Sequence, residues 1–186
     1  PILHRDGYAK ITKAHDQFGH VIEESYFGVD GKPILHRDGY AKTTRSYDKR
    51  GNITEFAYFG ITGKPMLYRD GYAKITLSYD QRKRIKQVAI FDIDGMPILN
   101  SYGVATIILN HDEHRNISEL SFYGVNGEAV LAYGICDRVF TKLDGKFPET
   151  DKGLCFNIKG EIEFLSTILS LYLYNEYLTV KKYFTN

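Results

Sequence analysis

Apolar and polar residues alternate over short runs that recur along the chain. In residues 72–79 the odd positions carry Ala73, Ile75, Leu77 and Tyr79, and the even positions carry Tyr72, Lys74, Thr76 and Ser78. Successive side chains of a strand point to opposite faces, so this run predicts a β-strand with one buried face. A second run predicts a second strand, whose odd positions are the apolar ones: Ile85, Ala89, Phe91 and Ile93.

Both runs belong to a unit of 32 residues. It occupies residues 1–32, 33–64 and 65–96, then 97–128 in a drifted form and 129–146 in part. Self-similarity at a fixed period is typical of repeat arrays. The prediction is an all-β fold of tandem hairpins, each with an extended Pro-Ile-Leu connector or short third strand. Together they form an elongated antiparallel sheet or a solenoid over residues 1–146.

Turn residues divide each copy at fixed places. One slot before a turn holds Asp16, Asp48, Asp80 and Asp112, and another at the end of each copy holds Gly31, Gly63, Gly95 and Gly127. Asp accepts hydrogen bonds from the backbone that follows it, and Gly supplies a positive φ, so both sets are expected to be structural. Lys83 and Arg115 replace the Gly19 and Gly51 of the first two copies. A changed or strained turn is expected there.

Residues 147–186 depart from the repeat. An array needs its open end covered, so this segment is predicted to be a cap. Its last part, 165–186, suits either a helix or a hairpin, with the helix slightly favoured.

The composition excludes several classes of protein. A formal net charge of +1 disfavours non-specific nucleic-acid binding, which needs a basic surface. No apolar run approaches the roughly 18 residues of a membrane span. The only cysteines are Cys136 and Cys155, without CxxC spacing, so they are expected to be small buried residues and not a disulfide framework or zinc site.

One polar position shares the parity of the apolar residues in the second strand. It holds Glu23, Glu55 and Glu119, with Gln87 in the third copy. If that face is the core, the carboxylates need partners, and Lys10, Lys42 and Lys74 recur in the first strand. An internal ladder of paired side chains is therefore expected. Exposed carboxylates along a groove are the alternative, and a bulge would change the parity itself.

Adjacent aromatic residues lie on opposite sheet faces in Tyr26-Phe27, Tyr58-Phe59 and Phe122-Tyr123. One ring of each pair is expected in the core. An exposed ring offers a rigid surface for sugars or peptides, so the candidate binding residues are Tyr26, Tyr58 and Phe122. Cross-strand packing, or burial under a neighbouring copy, is the favoured interpretation of these rings, and exposure for binding is the alternative.

No pattern indicates catalysis. The GxSxG, HExxH and P-loop motifs are absent, and His111 and His114 would not share a face in a strand-to-turn region. The sequence predicts no enzyme activity, no metal and no cofactor. It favours a scaffold that presents a surface to a protein partner or to the rest of a parent polypeptide, with a glycan as the alternative ligand.

The segments Tyr47-Asp48-x-x-Gly51-Asn52-Ile53 and Tyr79-Asp80 resemble the motif of RHS/YD repeats. Those proteins are large, mostly bacterial and often secreted or surface-associated, and their hairpin strips can form a shell around a toxic cargo. The element Tyr-Phe-Gly-x-x-Gly-Lys also resembles hairpin repeats of bacterial modules that bind cell-wall glycans. The resemblance implies a fragment of a larger bacterial protein, secreted or at the cell surface. A casing around a toxin, which would begin within 147–186, is a further implication.

Overall fold

The computed structural model describes residues 4–69, 71–115, 117–130, 138–140 and 154–156. Within these ranges the chain forms one open sheet whose strands follow the chain order, and it contains no helix. The strands are β1 (Lys10–His15), β2 (Val21–Phe27), β3 (Lys42–Tyr47), β4 (Ile53–Phe59), β5 (Lys74–Tyr79), β6 (Ile85–Phe91), β7 (Thr106–His111), β8 (Ile117–Tyr123), β9 (Arg138–Phe140) and β10 (Leu154–Phe156). The prediction of an all-β, antiparallel, hairpin-built sheet is confirmed for β1 to β8.

Strands within a hairpin pair along their whole length, and strands of neighbouring hairpins pair over a shorter stretch. All of β3 pairs with β4, whereas β2 and β3 meet only where Glu23 to Ser25 oppose Lys42 to Thr44. The same arrangement joins β4 to β5 and β6 to β7. Beyond β8, β9 pairs antiparallel with β8, and β10 pairs parallel with β9.

A register shift in each hairpin reverses the alternation of the second strand. Ser46 lies opposite Glu55 but Tyr47 lies opposite Ile53, which leaves Thr54 as an extra residue. Ile53 packs against the core before the shift, and Phe56 and Tyr58 belong to the core after it. The prediction that the odd positions of the second strand face the core is therefore wrong beyond the bulge. It is right for the first strand, where Ile75 and Leu77 are buried.

The connectors form a second layer over one face of the sheet. Met66 donates its backbone N–H to the Tyr58 carbonyl oxygen at 3.1 Å, which brings the connector back onto β4. The Tyr68 ring then stacks on the Tyr58 ring with 4.5 Å between centroids. Tyr72, which the alternation placed on the polar side, is fully buried because it belongs to the connector and not to β5. The core lies between sheet and connectors and contains Phe56, Tyr58, Tyr72, Ile75, Leu77, Val88, Ile90, Val104, Ile107, Leu109, Leu120 and Phe122.

The turns keep one backbone conformation even where glycine is replaced. Gly19 and Gly51 have φ values of 86° and 79°, and Lys83 and Arg115 adopt 64° and 75° at the same places. The expected change of turn type does not occur. Left-handed backbone strain at the two non-glycine residues is the consequence. The glycines that close the copies also have positive φ: Gly31 76°, Gly63 75°, Gly95 80° and Gly127 79°.

Most of the predicted cap lies outside the described residues. Within 147–186 the structure describes only β10, so the choice between a helix and a hairpin for 165–186 falls outside it. Cys136 and most of the fifth copy, residues 131–137 and 141–146, also lie outside the described residues.

Candidate functional site

The sheet face opposite the connectors carries a repeated set of charged and aromatic side chains. We call it the open face; it is formed by Lys10, Lys42, Lys74, Glu23, Glu55, Phe27, Phe59 and Phe91 and their strand neighbours. Each lysine lies directly opposite a phenylalanine of its own hairpin. The local alternation of the strands therefore puts a cation and a ring on the same side, away from the connector layer.

Each internal lysine joins two neighbouring hairpins. The Lys42 Nζ lies 3.2 Å from the Glu23 Oε2 of the preceding hairpin and 4.8 Å from the centroid of the Phe59 ring. The Lys74 Nζ repeats this arrangement, at 3.5 Å from the Glu55 Oε2 and 5.0 Å from the Phe91 centroid. Both partners of each ion pair remain accessible to solvent.

The carboxylates therefore do not form the expected internal ladder. The Glu23 and Glu55 side chains are 42% and 39% exposed, and Lys42 and Lys74 are 28% and 30% exposed. The bulge is the physical reason, because it turns these positions outward. Exposed pairs of this kind each contribute about 0–1 kcal/mol of stability. A carboxylate that stays hydrated avoids the free-energy penalty of desolvation. The observed exposed pairs therefore cost less desolvation free energy than the predicted internal ladder would.

The open face changes chemically in the fourth copy. Thr106 replaces the lysine and lies opposite Tyr123, and Glu119 accepts a hydrogen bond from Asn110 Nδ2 at 2.9 Å. The neighbouring side chains Ala89, Phe91 and Ile108 line an open recess of about 380 Å³ there. The face thus runs from a charged stretch to a more apolar one.

The three aromatic residues proposed for binding lie in the core. Tyr26, Tyr58 and Phe122 are 5%, 1% and 2% exposed. The Tyr26 hydroxyl donates a hydrogen bond to the Glu24 carboxylate, and burial is the largest cause that raises the pKa of this tyrosine. Their covered rings offer no surface for stacking on a ligand, so the binding alternative is wrong at these positions and the favoured interpretation, packing in the core, is right. The outward members of the pairs are Phe27, Phe59 and Tyr123, which are half-buried.

The repeated aspartates hold the turns between the strands. The Asp80 Oδ1 accepts the backbone N–H groups of Arg82 at 2.8 Å and Arg84 at 2.9 Å, and its Oδ2 accepts Arg84 Nε at 2.6 Å. The backbone hydrogen bond from Arg84 is the largest cause that lowers the pKa of Asp80 to about 2. Such a carboxylate remains ionised at neutral pH, which suits a turn cap and not a general acid.

Two other members of this aspartate slot, Asp16 and Asp48, behave similarly. Asp16 and Asp48 accept the corresponding backbone N–H groups, from Phe18 and His20 and from Arg50 and Asn52. Desolvation raises the pKa values of these two carboxyls, but their side-chain hydrogen bonds with His20 and Asn52 and then the backbone hydrogen bonds outweigh it, so both pKa values are lowered. The Asp112 carbonyl oxygen accepts a hydrogen bond from Arg84 at 3.0 Å.

Several contacts between copies were not predicted. The Tyr47 hydroxyl donates to the Val21 carbonyl oxygen at 2.8 Å, and the Tyr79 hydroxyl donates to the Ile53 carbonyl oxygen at 2.7 Å. On the connector side, Arg37 pairs with Asp6 and Arg69 pairs with Asp38, each at 3.0 Å. The recurrence of Tyr-Asp and Arg-Asp-Gly in the sequence indicates that these residues have a repeated role. Their spacing alone does not show that each of them contacts the neighbouring copy.

The two histidines of the fourth copy, His111 and His114, differ in their exposure to solvent. His111 is half-buried, and desolvation, followed by the charge of Arg84, lowers its pKa. His114 is exposed and lies 3.3 Å from Glu113. In the part of the chain that the structure describes, no three His, Cys, Asp or Glu side chains are grouped to hold a metal. Likewise, no helix among those residues has the length and hydrophobicity needed to cross a membrane.

No family model matches the chain, and no curated protein matches it.

Proposed function

We propose that the chain is a non-enzymatic repeat scaffold whose open face binds protein partners. In this proposal the 32-residue copies extend along one axis as an elongated array within a larger polypeptide. The observation that carries the proposal is the recurrence of one arrangement, a lysine between a glutamate and a phenylalanine, at Lys42 and again at Lys74. An even spacing of such groups suits an extended protein segment, whose own side chains also repeat along its length.

The balance of charge on the open face favours a protein ligand over a nucleic acid. Lys42 and Lys74 each lie beside a carboxylate, so they offer no uninterrupted cationic track for phosphates. A protein segment carries both signs of charge and can exchange these ion pairs for intermolecular ones. Charge complementarity of this kind contributes mainly to specificity and to the rate of association.

The rings of the open face are not freely available to sugars. An ammonium group lies over each of Phe59 and Phe91, and a sugar ring would have to displace it. A polypeptide can instead place an aliphatic or aromatic side chain beside the half-buried ring edge and a carboxylate beside the lysine. The open face therefore suits a protein better than a glycan.

A photo-crosslinking experiment tests this proposal. A photoreactive residue replaces Ser46, an exposed position on the open face, or Leu67, an exposed position of the connector layer. The full chain is then irradiated in an extract of its source cells, and the adducts are identified by mass spectrometry. We expect a discrete protein adduct from position 46 that is absent from position 67.

Matched charge variants separate the open face from general charge effects. Lys42→Glu with Lys74→Glu should abolish the adduct, and Lys32→Glu with Lys64→Glu, which makes the same charge change at exposed turn positions, should leave it unchanged. Equal adducts from positions 46 and 67 would contradict the proposal. Binding to a glycan array that is lost in Phe59→Ala would also contradict it and would favour a glycan-binding module.

A further inference from the structure

In the second and third copies a lysine side chain fills the space between adjacent hairpins on the open face. Lys74 lies opposite Phe91 of its own hairpin. Its Nζ is 3.5 Å from the Glu55 Oε2 of the preceding hairpin and 5.0 Å from the Phe91 centroid. Lys42 is placed in the same way in the copy before. The space between hairpins therefore accepts an unbranched alkyl stem that ends in an ammonium group.

The fourth copy has the same space without the lysine. One period of 32 residues later, the three equivalent positions hold Thr106, Gln87 and Tyr123. A threonine side chain is too short to reach from one hairpin to the next. These three residues line the open recess of about 380 Å³. The recess is therefore the place that a lysine stem fills in the two preceding copies.

The recess is neutral and largely apolar. Both members of the ion pair are replaced there by uncharged residues, and Ala89, Phe91, Ile108 and the exposed Val125 contribute to the lining. Among the described residues that line it, none carries a charge. Its volume is at the small end of the range of about 300–1,000 Å³ that is typical of ligand pockets, so it suits one large side chain. A charged group would lose hydration there without an opposite charge to receive it, so the lining favours an uncharged occupant.

The charged stretch of the open face borders this recess. The strand β6, which carries Phe91, lies between β5 with Lys74 and β7 with Thr106. A protein segment that crosses these strands meets an ammonium group and then an apolar recess. The complementary segment carries a carboxylate next to a large apolar side chain. An apolar pocket bordered by charged groups is also the arrangement of an interface hot spot.

We propose that the recess binds a large, uncharged apolar side chain of the protein partner, next to a carboxylate of the same partner that pairs with Lys74. This inference rests on the proposed function, because it names the group of that partner that the open face recognises.

Two small probes test the chemistry of the recess. N-acetyl-norleucinamide has the straight alkyl chain of N-acetyl-lysinamide but lacks its ammonium group. Each probe is titrated into the full chain, and the Ala89 and Ile108 methyl signals are followed by ¹H–¹³C NMR. We expect saturable shifts with the norleucine probe, on the order of millimolar, and about tenfold weaker binding of the lysine probe. The Ala57 methyl group lies opposite Lys74, at the equivalent place in the preceding copy, and should not shift.

Exchanging the residues of the third and fourth copies tests the origin of the recess. Gln87→Glu with Thr106→Lys rebuilds the ion pair without a change in net charge, and it should abolish the shifts. Glu55→Gln with Lys74→Thr is the reverse exchange. It should open a second recess, so that the Ala57 methyl signal responds to the norleucine probe. Circular dichroism of both double variants should match that of the unmodified chain, because the exchanged positions are not in the core.

The photo-crosslinking experiment connects the recess to the partner. Gln87→Glu with Thr106→Lys should lower the yield of the adduct from position 46 several-fold. Gln81→Glu with Thr62→Lys makes the same two changes at exposed turn positions and should leave the yield unchanged.

Equal or tighter binding of the lysine probe would overturn the proposal, and so would a norleucine probe that causes no shifts. Shifts that persist after the ion pair is rebuilt, no new response after the reverse exchange, or equal adduct yields from the two double variants with introduced lysines would also overturn it. If the unmodified chain gives no adduct at all, the proposed function fails, and the norleucine titration still shows whether the recess accepts an apolar group.

Discussion

Tyr58 and Phe59 are consecutive aromatic residues that the bulge in β4 assigns to opposite faces of the sheet. We predict that Tyr58→Ala lowers the free energy of unfolding by about 3–5 kcal/mol, a magnitude typical of a large aromatic removed from a core. Phe59→Ala should lower it by only about 1 kcal/mol, which combines a partly exposed ring with one cation–π contact.

The contacts of the two rings explain this difference. Tyr58 is 1% exposed, and its ring centroid lies 5.3 Å from that of Tyr40, 5.0 Å from that of Phe56 and 4.5 Å from that of Tyr68. Truncation leaves a cavity between sheet and connectors that rigid neighbours cannot fill. Phe59 lies on the open face, and the Lys42 ammonium is 4.8 Å from the centroid of its ring. When the Phe59 ring is removed, water can fill the space that it leaves.

Urea unfolding followed by far-ultraviolet circular dichroism measures both variants. The midpoint should fall several times further for Tyr58→Ala than for Phe59→Ala, with similar slopes. Equal losses, or a larger loss for Phe59→Ala, would refute the reversed alternation beyond the bulge. Tyr58→Phe serves as a control that keeps the ring in place.

Three further changes test the turns and the contacts between copies. Lys83→Gly should raise the free energy of unfolding by about 0.5–1 kcal/mol, measured in urea, because glycine relieves the positive φ of 64° at a smaller cost in chain entropy. Asp80→Asn should make the urea midpoint fall less steeply as the solution is acidified, because the pKa of Asp80 in the fold is about 2, below the ordinary value of 3.8 for an aspartate. The ionised carboxylate therefore stabilises the fold above about pH 4, and this contribution is lost as the pH falls towards about 2. Tyr79→Phe should cost about 1 kcal/mol in the same urea assay, because it removes the hydrogen bond to the Ile53 carbonyl oxygen in the preceding copy.

Local chemistry was enough to predict the first strands and the turns. The alternation over Ile75 and Leu77 is uninterrupted, because the register shift of this hairpin falls only between Ser78 and Tyr79, at the end of the strand. The Asp80 slot acts through backbone groups only two and four residues away. Features that depend on so few neighbouring residues can be inferred from their order along the chain.

The orientation of the second strands could not be inferred in the same way. A bulge adds a single residue to one strand, such as Thr54 in β4. The side chain of that residue does not distinguish it from its neighbours in the sequence. A signal was present nonetheless, since the even positions beyond the bulge hold large apolar residues in every copy from the second to the fourth: Phe56 and Tyr58, Val88 and Ile90, Leu120 and Phe122. Their bulk could have been weighed against the smaller Ala57, Ala89 and Ser121.

The candidate site was predicted only in part. The sequence predicts that the repeated glutamates and lysines pair in the core; Glu55 and Lys74 do lie 3.5 Å apart, but in solvent. The sequence did not predict the connector layer. This layer covers the face of the sheet that holds Tyr58 and Tyr72 and leaves the other face open. Such packing depends on contacts between segments that are far apart in the chain.

Paramagnetic attenuation of side-chain NMR signals by a soluble gadolinium chelate tests the central claim most directly. The unmodified protein is used, so no substitution disturbs the packing. Strong attenuation is expected for the Phe59 ring and the Lys74 side chain, with little for the Tyr58 and Phe56 rings. Strong attenuation of Tyr58 together with protection of Phe59 would contradict the account, because it would place the core on the other face of the sheet.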